Sequence, residues 1–284
     1  MIPAHMTPAH TTVHARADYL LHLADNALIL GQRNAEWCGH GPVLEEDIAQ
    51  ANISLDLIGQ SRLLLQHAAA VMNDGPTGAD TPRVTEDTLA YLREAAEFRN
   101  YTLVELPHFP AETGLLAATA QADRDYATTM VRNFLYSALM VLLWHTLQTS
   151  KDAQLAAIAS KSLKETRYHL RHARDWLVRL GDGTDASHAR MQSALNHLMP
   201  YTQEFWTPSP VEAAAALDGT GTEVRHLKAA WDLTVNEALA EATLKRPPDG
   251  GYVTRGKEGL HSEHLGFLLD EMQGLARQHP GGVW

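Results

Sequence analysis

The sequence is poor in several things that would have told of special chemistry. It holds one cysteine, Cys38, in 284 residues. No intrachain disulfide can form, which suits a reducing compartment, and a cytoplasmic location is expected. A lone cysteine of this kind is expected to serve as small packing rather than as a nucleophile. Positive charge is scarce: 23 Lys and Arg stand against 34 Asp and Glu, a net charge of −11. A nucleic-acid footprint needs clustered basic residues, so that class of partner is excluded. No apolar run is long enough to span a bilayer, which takes about 20 residues. The most apolar stretch, Phe134 to Trp144, is much shorter and follows Arg132 and Asn133 directly, so it is expected to be a buried helix. Gly-x-Ser-x-Gly, Walker A and Gly-x-Gly-x-x-Gly fingerprints are missing as well, which removes the common nucleophile-elbow and phosphate-loop enzymes.

What is present is helical. Gly and Pro clusters punctuate the chain at Gly39–Pro42, Asn73–Pro82, Pro107–Gly114, Gly181–Ser187, Thr207–Gly221 and Lys245–Gly259. The intervening segments are rich in Ala, Leu, Glu, Arg and Gln, and alternating β-branched runs are nearly absent. The pattern predicts helices at about 14–37, 42–72, 86–106, 113–150, 152–180, 189–205, 223–244 and 262–278. Gly181 is expected to cap the 152–180 helix. Residues 1–13 are expected to form a loose leader without the apolar core of a signal peptide, and 14–284 one helical domain. Four helices of roughly 24 to 38 residues far exceed the usual length of about 11–12. No heptad persists and no 20–50-residue repeat is visible, so a coiled coil and a solenoid are set aside. The long helices come in two pairs, each with a short link, joined by one long connection. The expected class is therefore all-α: a ferritin-like bundle of four long helices with additional C-terminal helices.

A ferritin-like di-iron site requires one Glu on each of two helices and Glu-x-x-His on each of the other two. An acid three residues before a His occurs here at Glu105–His108, Asp185–His188, Glu223–His226 and Glu258–His261, little above the roughly two that composition alone predicts. Pro107 interrupts the first, the second and fourth sit in Gly-rich turns, and all are expected to be solvated surface groups. On the long helices, Asp56 is followed at i+3 by Gly59 and Glu165 by Tyr168, where imidazoles would be needed. Asn26 lies 30 residues before Asp56, so a tight helix pair brings the two level. Asn26, Asp56, Gly59, Glu165 and Tyr168 are thus the degenerate ligand positions, and no catalytic, cofactor-binding or metal residue is assigned. Asp56 and Glu165 are expected to point into the bundle and meet hydrogen-bond donors or counter-charges such as Arg33, Arg62 or Arg132. His169 and His172, in a basic helical turn, are expected to pack or to serve an interface. The competing expectations are an oxygenase with an atypical site from Asp56, Glu165, His169 and His172, and a stand-alone ligand-binding bundle, for which no positive feature is found.

Five strings carry more than composition does: Arg33-Asn-Ala-Glu-Trp-Cys-Gly-His-Gly-Pro-Val-Leu-Glu45, Asp47-Ile-Ala-Gln-Ala-Asn-Ile-Ser-Leu-Asp-Leu-Ile-Gly-Gln-Ser-Arg62, Lys164-Glu-Thr-Arg-Tyr-His-Leu170, Trp176-Leu-Val-Arg-Leu-Gly-Asp-Gly-Thr-Asp185 and Gly259-Leu-His-Ser-Glu-His-Leu-Gly266. From about residue 16 to 284 the chain resembles the C subunits of bacterial 1,2-phenylacetyl-CoA epoxidases, departing mainly in a longer leader and a longer 73–82 loop. The resemblance implies a ferritin-like structural subunit without its own cofactor, acting in aerobic phenylacetate breakdown. It implies a homologous catalytic A subunit that holds the di-iron centre, a reductase subunit using NADPH, flavin and an iron-sulfur cluster, and a small further subunit. The first two helices, with Ala49, Ala51, Ser54 and Gly59, and the apolar wall Phe134–Trp144 are the expected surfaces for burial against a partner.

Overall fold

The computed structural model describes residues 8–74, 83–109, 124–250 and 253–282, with side chains from 16 onward. Two helical hairpins form its centre. α1 (Pro8–Ala35) turns through residues 36–43 and packs along α2 (Leu44–Asn73); α5 (Tyr126–Leu147) turns and packs along α6 (Ala153–Gly181). Between the hairpins lie two short helices, α3 (Glu86–Tyr91) and α4 (Thr102–Glu105). After them come α7 (Asp185–Leu198), α8 (Pro210–Asp218), α9 (Lys228–Glu241) and α10 (Glu263–Gln278). The two hairpins meet through α2 and α6, α7 and α9 cover α5, and α8 covers α1. Among the described residues there is no strand, only one isolated bridge between Arg255 and Leu260. This is the all-α bundle with additional C-terminal helices that the sequence pattern predicts, consistent with a ferritin-like arrangement.

The core follows from where apolar residues recur. α5 is apolar on nearly every face and is buried along almost its whole length, from Ala127 to Leu147. Each fully buried Leu, Phe or Met is worth roughly 1.5–3 kcal/mol relative to exposure, so this helix anchors the domain. Its Phe134–Trp144 wall is covered by the chain's own helices; the Trp231 indole of α9 donates to the Leu135 carbonyl at 3.0 Å. That wall is therefore not a partner surface, which corrects the expectation above. α6 is amphipathic instead, with Leu155, Ile158, Ala159, Leu163, Ala173 and Leu177 inward. Asp152 caps it by accepting the Gln154 and Leu155 amides at 3.1 Å.

Several boundaries differ from the sequence pattern, for local reasons. α1 starts at Pro8, inside the stretch expected as leader. The first part of the expected 113–150 helix lies outside the described residues. The expected helix 86–106 is instead α3, a 3₁₀ turn at Ala95–Glu97 and α4, separated by extended backbone. Thr207–Gly221, expected as a loop, contains α8: Ser209 precedes it, Pro210 opens it and Gly219, at φ +81°, closes it. Those Pro and Gly residues were start and stop signals of a short helix. Gly181 does not cap by a left-handed turn; α9 passes so close that a β-carbon there would sit 2.5 Å from the Ala242 carbonyl oxygen. Cys38 is exposed rather than packed.

Candidate functional site

The degenerate ligand positions fall in two places. Asp56 of α2 and Glu165 of α6 face each other's helices across the α2–α6 seam. The His169 imidazole meets Asp56 at 3.0 Å, and Gln60 donates to Glu165 at 3.0 Å while Lys161 pairs with the same carboxylate. One turn further along, His172 meets Glu46 at 2.8 Å, and Glu46 also accepts the Tyr126 hydroxyl. Burial together with the Glu46 charge raises the Tyr126 phenol, which stays protonated and donates. Both His side chains are nearly buried, but the Asp56 side chain is 39% exposed. Asp56 and Glu165 therefore meet donors at a half-open seam rather than in the interior, which corrects that expectation. The three arginines considered as counter-charges lie elsewhere: Arg62 is exposed near Glu86, Arg33 pairs with Glu36, and Arg132 binds the Leu106 carbonyl.

Gly59 has open space where a side chain would project, and Tyr168 is 43% exposed, stacked on His172. A side chain at position 59 would enter open space. Asn26 is fully buried and engaged with another part of the chain: its amide donates to the His22 carbonyl at 2.7 Å and its oxygen accepts the Tyr101 amide at 2.8 Å. Thus Asp56 and Glu165 share one seam, and Asn26 does not join them. Among the described residues no group of three or more His, Cys, Asp and Glu is placed to hold a metal ion. The acids and imidazoles of the seam come from α2 and α6 alone, whereas a di-iron centre draws ligands from four helices, so the donor set does not fit one.

Charge is truly buried in the irregular segment between α3 and α5. Asp25 of α1 takes both terminal nitrogens of Arg93, at 3.0 Å and in a second, shorter contact, and accepts the Arg99 amide at 2.9 Å. Glu105 accepts from Asn100 at 2.8 Å, from the Ser262 amide at 2.6 Å and from His261 at 2.8 Å. His261 donates its other ring nitrogen to the Phe98 carbonyl at 3.0 Å, so both nitrogens carry protons. Burial opposes that charge, but the Glu105 carboxylate outweighs it and raises the His261 pKa. His108 is buried as the neutral form: burial first, then the Arg132 charge, hold it well below the usual range. It donates to the Arg33 carbonyl at 2.6 Å. Glu105, His108 and His261 were expected to be solvated and are not. These side chains satisfy the backbone of a segment that forms no long helix, which sequence periodicity could not reveal.

One surface was missed in part. Leu44, Ile48, Leu55 and Ile58 are exposed along the outer face of α2, with Ala51 between them; Leu44 is 70% and Leu55 67% exposed. Steps of four, three, four and three residues place them in one row. α2 thus carries two apolar stripes, one packed on the hairpins and one open. That spacing was legible in the sequence. α1, by contrast, is buried throughout its second half, and Ser54 is buried against the Gln50 carbonyl, so neither belongs to an open surface.

Similarity to known proteins extends over the whole chain. A family model described as "Phenylacetic acid catabolic protein" matches residues 1–284. Over 266 residues, 94% of this chain and 98% of the relative, it is 44% identical to the C subunit of the 1,2-phenylacetyl-CoA epoxidase of Escherichia coli (strain K12).

Proposed function

The chain belongs to the phenylacetic acid catabolic protein family, and from that membership we propose that it is the structural, non-catalytic subunit of a 1,2-phenylacetyl-CoA epoxidase. In this reading a homologous subunit holds the di-iron centre and the acyl-CoA, and a reductase with flavin and an iron-sulfur cluster delivers electrons from NADPH. This chain supplies a rigid helical support, in which Asp56 and Glu165 remain as acids while Gly59 and Tyr168 stand where imidazoles would be needed. The complex works in the cytoplasm; no described helix is long and apolar enough to cross a membrane.

The observation that carries the reading is the one-to-one pairing at the α2–α6 seam. Asp56 with His169 and Glu46 with His172 join two helices only, so the seam lacks the further acids and imidazoles from two other helices that iron would need. The open row on α2 gives the support a surface. Apolar rows of this length on a helix are what helix-to-helix association buries, and obligate interfaces are markedly apolar.

The test is reconstitution. The purified chain is expected to carry no stoichiometric iron and to consume no oxygen with phenylacetyl-CoA and reductase, yet to co-purify with the catalytic subunit. Full epoxidation by the catalytic subunit and reductase without this chain overturns the supporting role, and near-stoichiometric iron revives an enzyme. Leu55→Glu is expected to leave the fold intact, because the side chain is exposed. It is expected to weaken association roughly 30-fold, the loss of a hot spot worth about 2 kcal/mol. Unchanged co-purification of Leu55→Glu and Ile48→Glu removes α2 as the contact surface.

A further inference from the structure

One end of the bundle gathers four chain segments: the α1–α2 turn, the start of α5, the end of α6 and the start of α7. They enclose a cleft of about 660 Å³. Tyr126 and Trp176 form one wall, edge to face at 5.6 Å, and Trp37 meets Tyr126 from behind at 5.5 Å. Arg124 and Arg190 line the same cleft. The Arg124 Nη1 atom is buried and has no hydrogen-bond partner among the described residues. Of the two acids beside it in the sequence, Asp123 lies outside the described residues, and Asp125 does not serve it: one oxygen accepts the Ala127 amide at 3.1 Å and the other the Thr128 hydroxyl at 3.2 Å, capping α5.

The cleft lining holds two arginines, Arg124 and Arg190, against one carboxylate, Asp125, in a chain that as a whole carries −11. Arg124, Arg33 and Arg132 all act on the buried His108, and burial and the Arg33 charge push Arg132 down to about 9. Against them, Glu36 is committed to Arg33. α2, α5 and α7 begin at this end and α1 and α6 finish there, so the helix ends largely offset one another and the arginine side chains carry the positive charge. A guanidinium nitrogen out of water with no acceptor is costly, and an anion is the simplest thing that relieves it.

We propose that this cleft is a binding site for a small organic anion carried on a planar aromatic ring. The carboxylate or phosphate meets Arg124 and Arg190, and the ring lies against Tyr126 and Trp176. Two sources have this chemistry, an arylacetate and a purine nucleotide. The site is independent of the α2 surface and of the supporting role proposed above.

Calorimetric titration and thermal melting of the full chain at low salt test the proposal, with phenylacetate, AMP and inorganic phosphate as separate probes. One of the ring-bearing anions is expected to bind and to raise the melting temperature; whichever does identifies the source. Inorganic phosphate is expected to bind at least about tenfold more weakly, and Arg190→Gln to weaken the ring-bearing probe about tenfold or more, with the melting temperature of the free chain unchanged. Arg124→Met is expected to melt higher than the wild type without ligand, because a buried guanidinium nitrogen without an acceptor is gone, and to bind no probe. The proposal is overturned if no probe binds at millimolar concentration, if phosphate binds as tightly as the ring-bearing anions, or if Arg124→Met melts lower. It is also overturned if no probe binds and Arg124→Met abolishes co-purification with the catalytic subunit, which would assign Arg124 to a partner's carboxylate.

Discussion

The α2–α6 seam and the irregular segment behind α1 both hold acid–base pairs, and they use them differently. At the seam, Asp56–His169 and Glu46–His172 join two helices that apolar packing already holds together. Behind α1, Asp25–Arg93 and Glu105–His261 have almost no solvent access. There the charged groups replace the backbone partners that a helix would have supplied. Charge at the seam decorates a fold, whereas charge behind α1 is part of what makes the segment 93–108 fold at all. The lesson bears on the positions read from the sequence as degenerate ligands. Asp56, Gly59, Glu165 and Tyr168 sit in the tolerant region, while Asn26 is buried behind α1 against His22 and Tyr101.

The sharpest way to break this comparison is Asp25→Ala, which leaves Arg93 buried without its carboxylate. A loss of about 3–5 kcal/mol is expected in urea unfolding at neutral pH, as for other broken buried pairs. A loss below about 1 kcal/mol would place Asp25 in the same class as the seam.

Acid gives the next largest effect, again from the region behind α1. Burial, reinforced by Lys257, pushes His22 down to about 3, while an unfolded His titrates near 6.5. Between those values the unfolded state binds the extra proton, so stability is complete above about pH 6.5 and falls as pH drops toward 3. From pH 7 to pH 5 the expected loss from this residue is about 2 kcal/mol. His261 has the opposite sign. Its raised pKa means that its contribution is fully present below pH 6.5 and fades as pH rises through the folded value. Comparing wild type with His22→Gln in unfolding at pH 5 and 7 isolates the His22 contribution. An equal pH dependence in both would show that His22 is not the source.

The smallest effect is expected at the seam. Asp56→Asn removes a pair whose carboxylate is substantially exposed and should cost about 0.2–1 kcal/mol, less in high salt. A salt-insensitive loss above about 2 kcal/mol would mean that the seam is as indispensable as the buried region.

Much of the molecule was legible beforehand because helix periodicity is a local property. The long pairs α1–α2 and α5–α6 follow from composition, spacing and punctuation, and Asp152 at the start of α6 is a cap readable from four residues. That Gly59 and Tyr168, not His, stand three residues after Asp56 and Glu165 was readable as well. The row Leu44, Ile48, Ala51, Leu55 and Ile58 was equally local, and was hidden only because a second stripe on the same helix carries the core. The sequence by itself therefore determined the all-α class, the family and the absence of Glu-x-x-His on the long helices.

Only the tertiary structure decided where the charges went. Glu105 and His261 lie 156 residues apart, and Asp25 and Arg93 lie 68 apart. Nothing local distinguishes these from solvated side chains. Whether a carboxylate is buried depends on which distant backbone groups lack partners, and that is settled when α1, α10 and the segment between α3 and α5 close on one another. The same holds for Arg124, whose unmet nitrogen becomes visible only when four segments from different parts of the chain meet at one end of the bundle. Periodicity reports the face a helix buries; it carries no information about which polar groups that burial leaves to be satisfied.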